Sequence, residues 1–472
     1  MIKGVLGIVG LAVLWGVGCG THSGIGNLGT GGNGSGGTGG TGTGGVQIGM
    51  GGEPGTGGAL IATGGNPGAG GAQIGMGGEP GTGGFATGGQ PGTGCPGVDA
   101  GAPPTAPAKT LAFSAPVDYP TGFGAMAVAA GDLNGDHKID LVLLDQTAGA
   151  RVMLNNGDGT FGGPVDHALV ANPIALALGD LNGDGLLDVA SVSNAGVSVI
   201  LNQGNAAFGP PLTYVVGTNS QALALGDLNS DGRLDIAVVD GGSYSPASMV
   251  AGDVGILLNT GGGTFSARNY GTLNQPAAIA LGDVNEDCQL DLIVADADGL
   301  TLLSSSFGLI SAYTQSHIAN GTSGQSVAIA DLNGDGRLDL FEGDRGLSVS
   351  NTGYVLLNLG LGAFTAPVRY SALDGPDASL QGGSSLAGVA AADLNGDGKA
   401  DLLSIGVSFS VFLSRGSGTF ATPSNFSLLP YPTSLAHGDF NGDGLEDVAV
   451  VSYNGGQFQP ASSLRVLINA SH

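Results

Sequence analysis

The segment DLNGDGLLD at residues 180–188 decides the fold of this chain, because closely related segments recur along the sequence. Seven copies start about 50 residues apart, and positions one, three, five and nine are Asp, Asn, Asp and Asp in every copy. The copies lie at residues 132–140, 180–188, 227–235, 283–291, 331–339, 393–401 and 439–447. A repeat at this period indicates one repetitive architecture rather than a series of unrelated domains.

The spacing within each copy is typical of a calcium-binding loop. Side-chain oxygens at positions one, three and five converge when the backbone wraps around an ion, position seven offers a carbonyl, and position nine completes the shell. Glycine at position six permits the positive φ that such a wrap needs. His137 and Cys288 replace this glycine in the first and fourth loops, and we expect the fourth loop to be the weakest site.

We predict up to seven structural Ca²⁺ ions, because a ligand set made only of oxygen favours Ca²⁺ over zinc or copper. The loops are not EF-hands, since position twelve of the second copy is Ser191 and the flanking sequences are strand-like. The alternative is that the segments are Asx-rich turns without metal. The predicted ligands are Asp132, Asn134, Asp136, Asp140, Asp180, Asn182, Asp184, Asp188, Asp227, Asn229, Asp231, Asp235, Asp283, Asn285, Asp287, Asp291, Asp331, Asn333, Asp335, Asp339, Asp393, Asn395, Asp397, Asp401, Asp439, Asn441, Asp443 and Asp447.

The charge balance supports cation binding and argues against nucleic acid. The chain has 38 acidic and 12 basic residues among its 472, for a formal charge of −26. The repeated aspartates of the seven loops account for most of this excess, and carboxylates crowded into one turn repel each other unless a cation lies between them. Binding to phosphate would need a basic surface, so we predict no nucleic-acid partner.

Each repeat unit reads as four short β-strands, which in the second unit are PIALALGD, LLDVASVS, GVSVILN and AAFGPPLTYV. Four strands per unit in seven units predict an all-β, seven-bladed β-propeller over residues 109–472. The last unit stops after LRVLINASH without a fourth strand, whereas FSAPVDY at residues 113–119 matches FTAPVRY at residues 364–370. We therefore expect the N-terminal strand to complete the last blade and close the ring, which removes two sheet edges.

The loops, together with NxGxGTF segments at residues 155–161 and 259–265 and a looser NLGLGAF at 358–364, resemble FG-GAP or VCBS-type repeats. Such repeats form the propeller of integrin α-subunits and occur in many secreted bacterial proteins. The resemblance covers about residues 111–469. It implies that the loop aspartates and asparagines bind Ca²⁺ structurally, and it specifies neither a ligand nor an activity.

Residues 1–19 read as a secretion signal, with Lys3 followed by an apolar run that ends at Cys19. Small residues before this cysteine resemble a bacterial lipobox, which implies a lipid on Cys19, although Gly16 stands where that motif usually has Leu. We expect an exported protein that is lipid-anchored to the bacterial envelope, at the outer membrane or cell surface. The alternative is an ordinary cleaved signal in which Cys19 is incidental, giving a secreted protein.

Residues 20–108 form a glycine-rich linker that we expect to be disordered, because such a composition buries too little apolar surface to offset its ordering entropy. GGVQIGMGGEPGTGG at 44–58 recurs as GGAQIGMGGEPGTGG at 70–84. A flexible chain of this length has an r.m.s. reach of roughly 50 Å. It is interpreted either as a spacer that holds the propeller off a membrane or as filler expanded by slippage. Cys95 lies within it and has no assigned role.

We expect the loops that differ in length between repeats to lie on the face opposite the calcium loops. This face would carry the loops between second and third strands and the loops between blades. Extensions on one face often mark a binding face, but they are also compatible with tolerated surface loops. The aromatic residues assigned to this candidate ligand face are Tyr244, Tyr354, Tyr370, Tyr453 and Phe458.

No nucleophile elbow, zinc-protease motif or P-loop is present, and the six histidines lack ligand spacing. His437 is expected to be a core residue of an inner strand. We therefore predict a non-catalytic binding or adhesion module, monomeric, with a glycan or protein ligand that the sequence does not identify. The alternatives are a polysaccharide-processing lyase or hydrolase on the propeller scaffold, or a purely structural envelope protein.

Overall fold

The computed structural model describes residues 12–13 and 109–471. Gaps remain at 123, 171, 218, 246–247, 307–308, 319–322, 345–351, 372–387, 407, 428–431 and 453–461. Every described element is a β-strand. The linker 20–108 and most of the predicted signal 1–19 lie outside the described residues, as do Cys19, Tyr453 and Phe458.

Seven four-stranded antiparallel sheets form the blades of a β-propeller, as predicted. In each blade the first strand is innermost and the fourth is outermost. Blade 1 consists of Ala125–Gly131, Asp140–Asp145, Gly149–Met153 and Val165–His167. Blade 2 consists of Pro173–Gly179, Asp188–Ser193, Gly196–Ile200 and Leu212–Tyr214. Blade 3 consists of Ser220–Gly226, Asp235–Asp240, Gly252–Gly261 and Thr264–Leu273. Blades 4 and 5 are Ala278–Gly282, Asp291–Asp296, Gly299–Ser306 and Leu309–Ile318; Gly324–Ala330, Asp339–Asp344, Thr352–Leu356 and Val368–Ser371. Blades 6 and 7 are Gly388–Ala392, Asp401–Ile405, Phe409–Phe412 and Ser424–Phe426; Pro432–Gly438, Asp447–Ser452, Ser462–Leu467 and Val117–Gly122.

The N-terminal strand closes the ring, which confirms the sequence prediction. Val117–Gly122 pairs antiparallel with Ser462–Leu467, in a register that places Val117 opposite Val466 and Asp118 opposite Arg465. The Arg465 Nε lies 2.7 Å from a carboxylate oxygen of Asp118. The first and last parts of the propeller are therefore joined by a full strand pairing instead of ending in two exposed sheet edges.

The hydrophobic core lies between neighbouring blades. Val142 and Leu144 of blade 1, for example, pack in one buried cluster with Leu176 and Val189 of blade 2. Second strands are covered on both faces by adjacent blades, and all six residues of Asp188–Ser193 are buried. This two-sided burial explains why the second strands read as nearly continuous runs of small and β-branched residues.

Aromatic side chains on fourth strands join one blade to the next. The ring of Tyr119 in blade 7 packs edge-on against Phe161 of blade 1, with centroids 6.1 Å apart. The backbone N–H of Phe161 also donates to the Tyr119 hydroxyl at 3.0 Å. Tyr214 makes the same ring contact with Phe265 of blade 3 at 5.4 Å. Tyr119 lies six residues after Phe113, and Tyr214 lies six residues after Phe208. Each tyrosine contacts a phenylalanine of the following blade.

Further short strands lie outside the four strands of the blades, among them Asn358–Gly360, which pairs with Ala363–Phe364 in blade 5. Ser243–Ser245 pairs with Ser248–Val250 as a separate hairpin in the extended loop of blade 3. Ala12–Val13 pairs in parallel with Ala224 and Leu225 on the inner strand of the same blade. Ala12–Val13 belongs to the predicted signal, so cleavage after the signal would remove it and leave the four strands of blade 3 bonded to one another. No helix in the described part of the chain is long and apolar enough to span a membrane.

Candidate metal centres

The seven repeated segments form the loops between the first and second strands of the seven blades, and we number them loop one to loop seven in chain order. In every loop the ninth residue begins the second strand, as Asp188 begins Asp188–Ser193. All seven ninth-position aspartates are fully buried, while the fifth-position residue is exposed in six loops. Each loop thus has one carboxylate held inside the blade and others near the surface.

The same hydrogen bonds organise every loop. The N–H of position five donates to one carboxylate oxygen of position one at 3.0–3.2 Å in all seven copies. The N–H of position six donates to the other oxygen at 2.7–2.8 Å. The N–H of position seven donates to the fifth-position carboxylate at 2.9–3.0 Å. The backbone is wrapped tightly around the side chains of positions one and five.

Positions four and six both have positive φ in all seven loops. The prediction for position six is confirmed, with φ of 84° at Gly185 and 66° at both His137 and Cys288. The sequence analysis did not identify position four, where Ser230 and Glu286 adopt φ of 60° and 65° in place of glycine. Glycine in five of the seven copies at position four was the signal that could have revealed this second requirement.

In six loops the ninth aspartate is a buried acceptor that ties the loop to the end of the third strand. In loop two, Asp188 accepts the N–H of Leu181 at 2.9 Å on one oxygen and the N–H of Asn202 at 2.7 Å on the other. Burial raises the pKa of Asp188 to about 7, and the nearby carboxylates of Asp184 and Asp180 act in the same direction. Burial likewise raises the pKa to about 7 in Asp235, Asp339, Asp401 and Asp447, and to about 6 in Asp140.

The donor set fits a hard cation if asparagine and backbone oxygens take part. No three acidic, histidine or cysteine side chains in the described residues are grouped so as to hold a metal by themselves. In loop two the side-chain oxygens of Asp180 and Asn182 both accept the N–H of Asp184, at 3.1 and 2.8 Å, so these two oxygens lie close together. Carboxylate, amide and carbonyl oxygens are the ligands that Ca²⁺ takes. Calcium binding by the loops stays a prediction.

Asparagine side chains connect several of the repeated loops to the repeated loop of the neighbouring blade. The sequence analysis did not identify this role. The Asn202 amide donates to the carbonyl of Leu187 in its own blade at 3.1 Å and to the carbonyl of Leu133 in loop one at 2.8 Å. The asparagines that bridge two blades in this way are Asn155, Asn202, Asn259, Asn358 and Asn469. The signal was the Asn that starts the NxGxGTF segments at Asn155 and Asn259 and the looser NLGLGAF at Asn358. These contacts place the NxGxGTF turns and the repeated loops on one face.

The residues assigned to a ligand face are not brought together in the described structure. Tyr370 lies in the fourth strand of blade 5, and its ring packs edge-on against Phe420 of blade 6 at 5.4 Å. Tyr354 lies in the third strand and packs against the buried cluster between blades 4 and 5. Tyr244 is in the small hairpin of blade 3. Tyr370 and Tyr354 therefore pack between blades.

His437 lies in the inner strand of blade 7, where the sequence analysis placed it. Its side chain is completely buried, and its Nδ1 is 2.9 Å from a carboxylate oxygen of Glu446. This contact joins the inner strand to the residue just before Asp447. His437 therefore has a packing and hydrogen-bonding role within the blade.

Two family models match the chain over more than half of its length. The FG-GAP-like repeat model matches residues 132–191, 180–238, 283–342 and 346–404, and the FG-GAP repeat model matches residues 431–467. The chain belongs to the FG-GAP repeat family. No curated protein sequence matches this FG-GAP propeller.

Solved structures of other proteins are similar to this propeller only distantly. An Agrocybe aegerita lectin, solved for its specific recognition of non-reducing terminal N-acetylglucosamine, is 22% identical with a TM-score of 0.46, over 74% of this chain and 86% of the lectin. BBS1N, solved in complex with ARL6DN and soaked with lead, is 14% identical with a TM-score of 0.47, over 76% of this chain and 97% of BBS1N. Neither likeness carries an argument about a ligand.

Proposed function

We propose that this FG-GAP propeller is a calcium-stabilised, non-catalytic binding or adhesion module. In the proposal it is exported, anchored to the bacterial envelope through a lipid on Cys19, and displayed on the linker 20–108. The observation that carries the proposal is the difference between the two faces of the ring. One face repeats the same loop seven times, whereas on the other face the connection between the second and third strands ranges from two residues in blade 2 to eleven in blade 3.

The uniform face is suited to a structural role. Its loops share one hydrogen-bond network, and asparagine side chains connect several of them across blade boundaries. An ion bound by one loop would neutralise the carboxylates packed there and stabilise the junction with the next blade. Binding to the folded loops alone stabilises the native state by mass action.

The opposite face is suited to recognition. Between the second and third strands of blade 3, residues 241–251 contain the hairpin of Ser243–Ser245 and Ser248–Val250, whereas in blade 2 two residues make the same connection. Loops that vary in length on a rigid scaffold are where binding residues concentrate in proteins. We therefore place the ligand site on this face and keep Tyr244, Tyr453 and Phe458 as its candidate aromatic residues.

Thermal unfolding of the purified chain tests the calcium part of the proposal. The melting temperature in millimolar Ca²⁺ is expected to exceed that in EDTA by about 10 °C or more, since several ions stabilise one cooperative ring. Mg²⁺ serves as the control ion, because it demands a smaller and more regular shell. An equal melting temperature with Ca²⁺ and with EDTA would exclude structural calcium.

A glycan array in millimolar Ca²⁺ tests the recognition part. Binding to one glycan class is expected to be lost in Tyr244→Ala and kept in Val165→Ala, which changes an exposed side chain on the outer strand of blade 1. Absence of binding by a folded chain would direct the search to protein ligands. Release of reducing ends or unsaturated sugars from the array glycans would instead indicate a polysaccharide-processing enzyme.

Metabolic labelling with an alkyne fatty acid in a bacterial host tests the anchor. The wild-type chain is expected to incorporate the label and to fractionate with membranes. Cys19→Ser should abolish both, whereas the matched variant Cys95→Ser should change neither. Labelling that persists in Cys19→Ser would refute lipidation at this residue.

A further inference from the structure

Three polar side chains of blade 4 form a hydrogen-bonded chain that leads from the core to the surface. Asp296 ends the second strand, Thr301 lies in the third strand, and both are fully buried. The Thr301 hydroxyl oxygen lies 2.8 Å from a carboxylate oxygen of Asp296 and 2.9 Å from Nδ1 of His317. His317 pairs with Thr301 from the fourth strand and is exposed. A buried acid is therefore connected to an exposed imidazole through one hydroxyl.

This hydrogen-bonded chain lies on the face opposite the repeated loops. Residues 297–298 connect the second and third strands of blade 4, and the extended loop 241–251 makes the same connection in blade 3. Asn274, which precedes blade 4, holds this turn, because its side chain donates to Asp298 at 3.1 Å and its carbonyl accepts the N–H of Ala297 at 2.8 Å. His317 therefore borders the proposed ligand face, and a ligand role for it rests on that proposed function.

The hydrogen bonds determine which nitrogen of His317 carries the proton. A hydroxyl has one proton to donate, so Thr301 can donate to only one of its two neighbours. The Asp296 carboxylate also accepts the N–H of Asp298 at 2.8 Å, and an ionised carboxylate can only accept. Thr301 therefore donates to Asp296, and Nδ1 of His317 donates to Thr301. The neutral ring then has its proton on Nδ1 and an unprotonated Nε2.

The charges around this chain favour a cationic ligand group. Burial raises the pKa of Asp296, and the charge of Asp298 acts in the same direction, whereas a positive charge on His317 lowers it. His317 and the exposed Asp298 thus lie around one buried acid. The titratable groups on the bordering strands are Arg268 and Tyr270 in the outer strand of blade 3 and Tyr354 in the third strand of blade 5. The formal charge of the whole chain is −26, which also attracts a cation.

The equivalent positions of blade 1 hold a set of side chains that satisfy one another. By strand register these are Asp145, Arg151 and Asp166. The Arg151 guanidinium lies 2.7 Å from Asp166 and 3.6 Å from Asp145, and it also donates to the carbonyl of Thr121. Blade 4 instead ends in His317, whose Nε2 has no hydrogen-bond partner among the described residues. Blade 4 therefore has an acceptor to spare where blade 1 has none.

We propose that His317 and Asp298 form a site for a primary ammonium group, the side chain of a lysine in a protein ligand, with Thr301 and Asp296 as positioning residues. The two nitrogens of an imidazole ring point away from each other, so Nε2 is directed away from Thr301. An ammonium group has three donors and no acceptor, which matches an unprotonated nitrogen beside a carboxylate. Acid protonates Nε2, which removes the acceptor and adds a positive charge. The ligand is therefore released as the pH falls through the range in which histidine changes charge.

Nuclear magnetic resonance of the full chain labelled with ¹⁵N-histidine tests the positioning part without a ligand. The signal that disappears in His317→Asn identifies the ring. At about pH 7.5 it is expected to show a protonated Nδ1 and an unprotonated Nε2. Thr301→Val, which has nearly the same shape, should allow the proton to move to Nε2. A wild-type ring with its proton on Nε2 would overturn the proposal.

A peptide array tests the ligand part, with the full chain in millimolar Ca²⁺ and each lysine peptide paired with its trimethyl-lysine form. Trimethylation keeps the positive charge and removes every N–H donor, so it should weaken binding about 10-fold. His317→Asn retains a donor for Thr301 but lacks Nε2, and it should weaken binding by a similar factor. Asp166→Asn removes an exposed acid at the equivalent position of blade 1 and should change nothing.

The pH dependence separates His317 from other groups. Wild-type binding is expected to fall about 10-fold between about pH 7.5 and about pH 5.5, a range over which lysine stays charged. Binding by His317→Asn should respond much less. Equal binding of lysine and trimethyl-lysine peptides, or binding confined to amino sugars on the glycan array, would overturn the proposal. Loss of glycan binding in Tyr244→Ala with full binding in His317→Asn would overturn it while leaving the proposed ligand face intact.

Discussion

Loop two and loop four share the backbone hydrogen bonds to the carboxylates of positions one and five but have different residues at positions four and six. Loop two has Gly183 and Gly185 at the two positions of positive φ, whereas loop four has Glu286 and Cys288 there. In loop four, Glu286 makes an ion pair with Arg337 of loop five at 2.7 Å, and Cys288 is disulfide-bonded. Loop two has glycine at both positions, and its backbone hydrogen bonds to the first and fifth carboxylates match those of loop four.

The difference shows which parts of the repeat are replaceable. The carboxylates at positions one, five and nine are present in all seven loops, and each accepts backbone N–H groups of its loop, as in loop two. The positive φ can be supplied by other residues at a conformational cost. In loop four, the two residues that adopt positive φ in place of glycine are also bonded to residues outside the loop. Glu286 makes an ion pair with Arg337, and Cys288 is disulfide-bonded.

The largest effect we expect is a pH dependence that calcium abolishes. In EDTA the melting temperature should fall by about 10 °C from pH 5 to pH 8. The reason is that burial raises the pKa of Asp188 from 3.8 to about 7, and it raises those of Asp140, Asp235, Asp339, Asp401 and Asp447 to about 6–7. A raised folded-state pKa stabilises the fold below about pH 4, and this contribution is lost as pH rises through about 7.

Calorimetry across this pH range measures the effect. In Ca²⁺ the slope should vanish or reverse, since the ion binds the ionised groups. Asp188→Asn removes one titrating group from loop two, and Asp283→Asn removes from loop four an acid whose pKa burial also raises. Parallel pH profiles with and without Ca²⁺ would contradict the expectation.

The next largest effect concerns the ninth aspartate, which the two loops have in common. Asp188→Ala should lower the free energy of unfolding by about 3 kcal/mol, because the N–H groups of Leu181 and Asn202 would remain buried without their acceptor. Asp291→Ala should cost a similar amount, since Asp291 accepts the N–H of Val284 at 3.2 Å. Urea denaturation compares the two variants, and a loss below about 1 kcal/mol in both would show that the buried carboxylate is dispensable.

Glycine exchange addresses the difference between the loops directly. Gly185→Ala should destabilise by about 1 kcal/mol through backbone conformation alone, because no atom lies within 4 Å of the added Cβ. Cys288→Gly should stabilise by about 1 kcal/mol relative to Cys288→Ser, and neither variant can form a disulfide at this position. Equal stability of the glycine and serine variants would mean that loop four is not strained at position six.

The smallest effect concerns the ion pair between loops four and five. Glu286→Gln should cost about 0.5 kcal/mol, because both side chains are partly exposed and such pairs contribute little. The cost should decrease at high ionic strength. Denaturation at low and high salt measures it, with Asp118→Asn on the outer strand of blade 7 as a matched exposed pair. A cost that does not respond to salt would indicate packing instead of charge.

Much of the fold could be predicted from the sequence because the repeat supplies the same local information seven times. The strand order, the loop positions and the closure of blade 7 by the segment around Tyr119 all followed from comparing one copy with another. Position four of the loop escaped notice because Ser230 and Glu286 hide its requirement for positive φ. The ring of Tyr370 was assigned to a binding face because a sequence pattern does not say which way a side chain near a strand end points.

The sequence by itself determined the seven units, the oxygen-rich loops and the joining of the two ends of the ring, since each depends on residues close together in one repeat or on two matching segments. Only the tertiary structure decided which side chains meet between blades. Asn202 bonds to Leu133 across 69 residues, and Tyr214 packs on Phe265 of the next blade. Such contacts form when strand pairing and ring closure bring two blades together, and neither residue's local pattern contains that geometry.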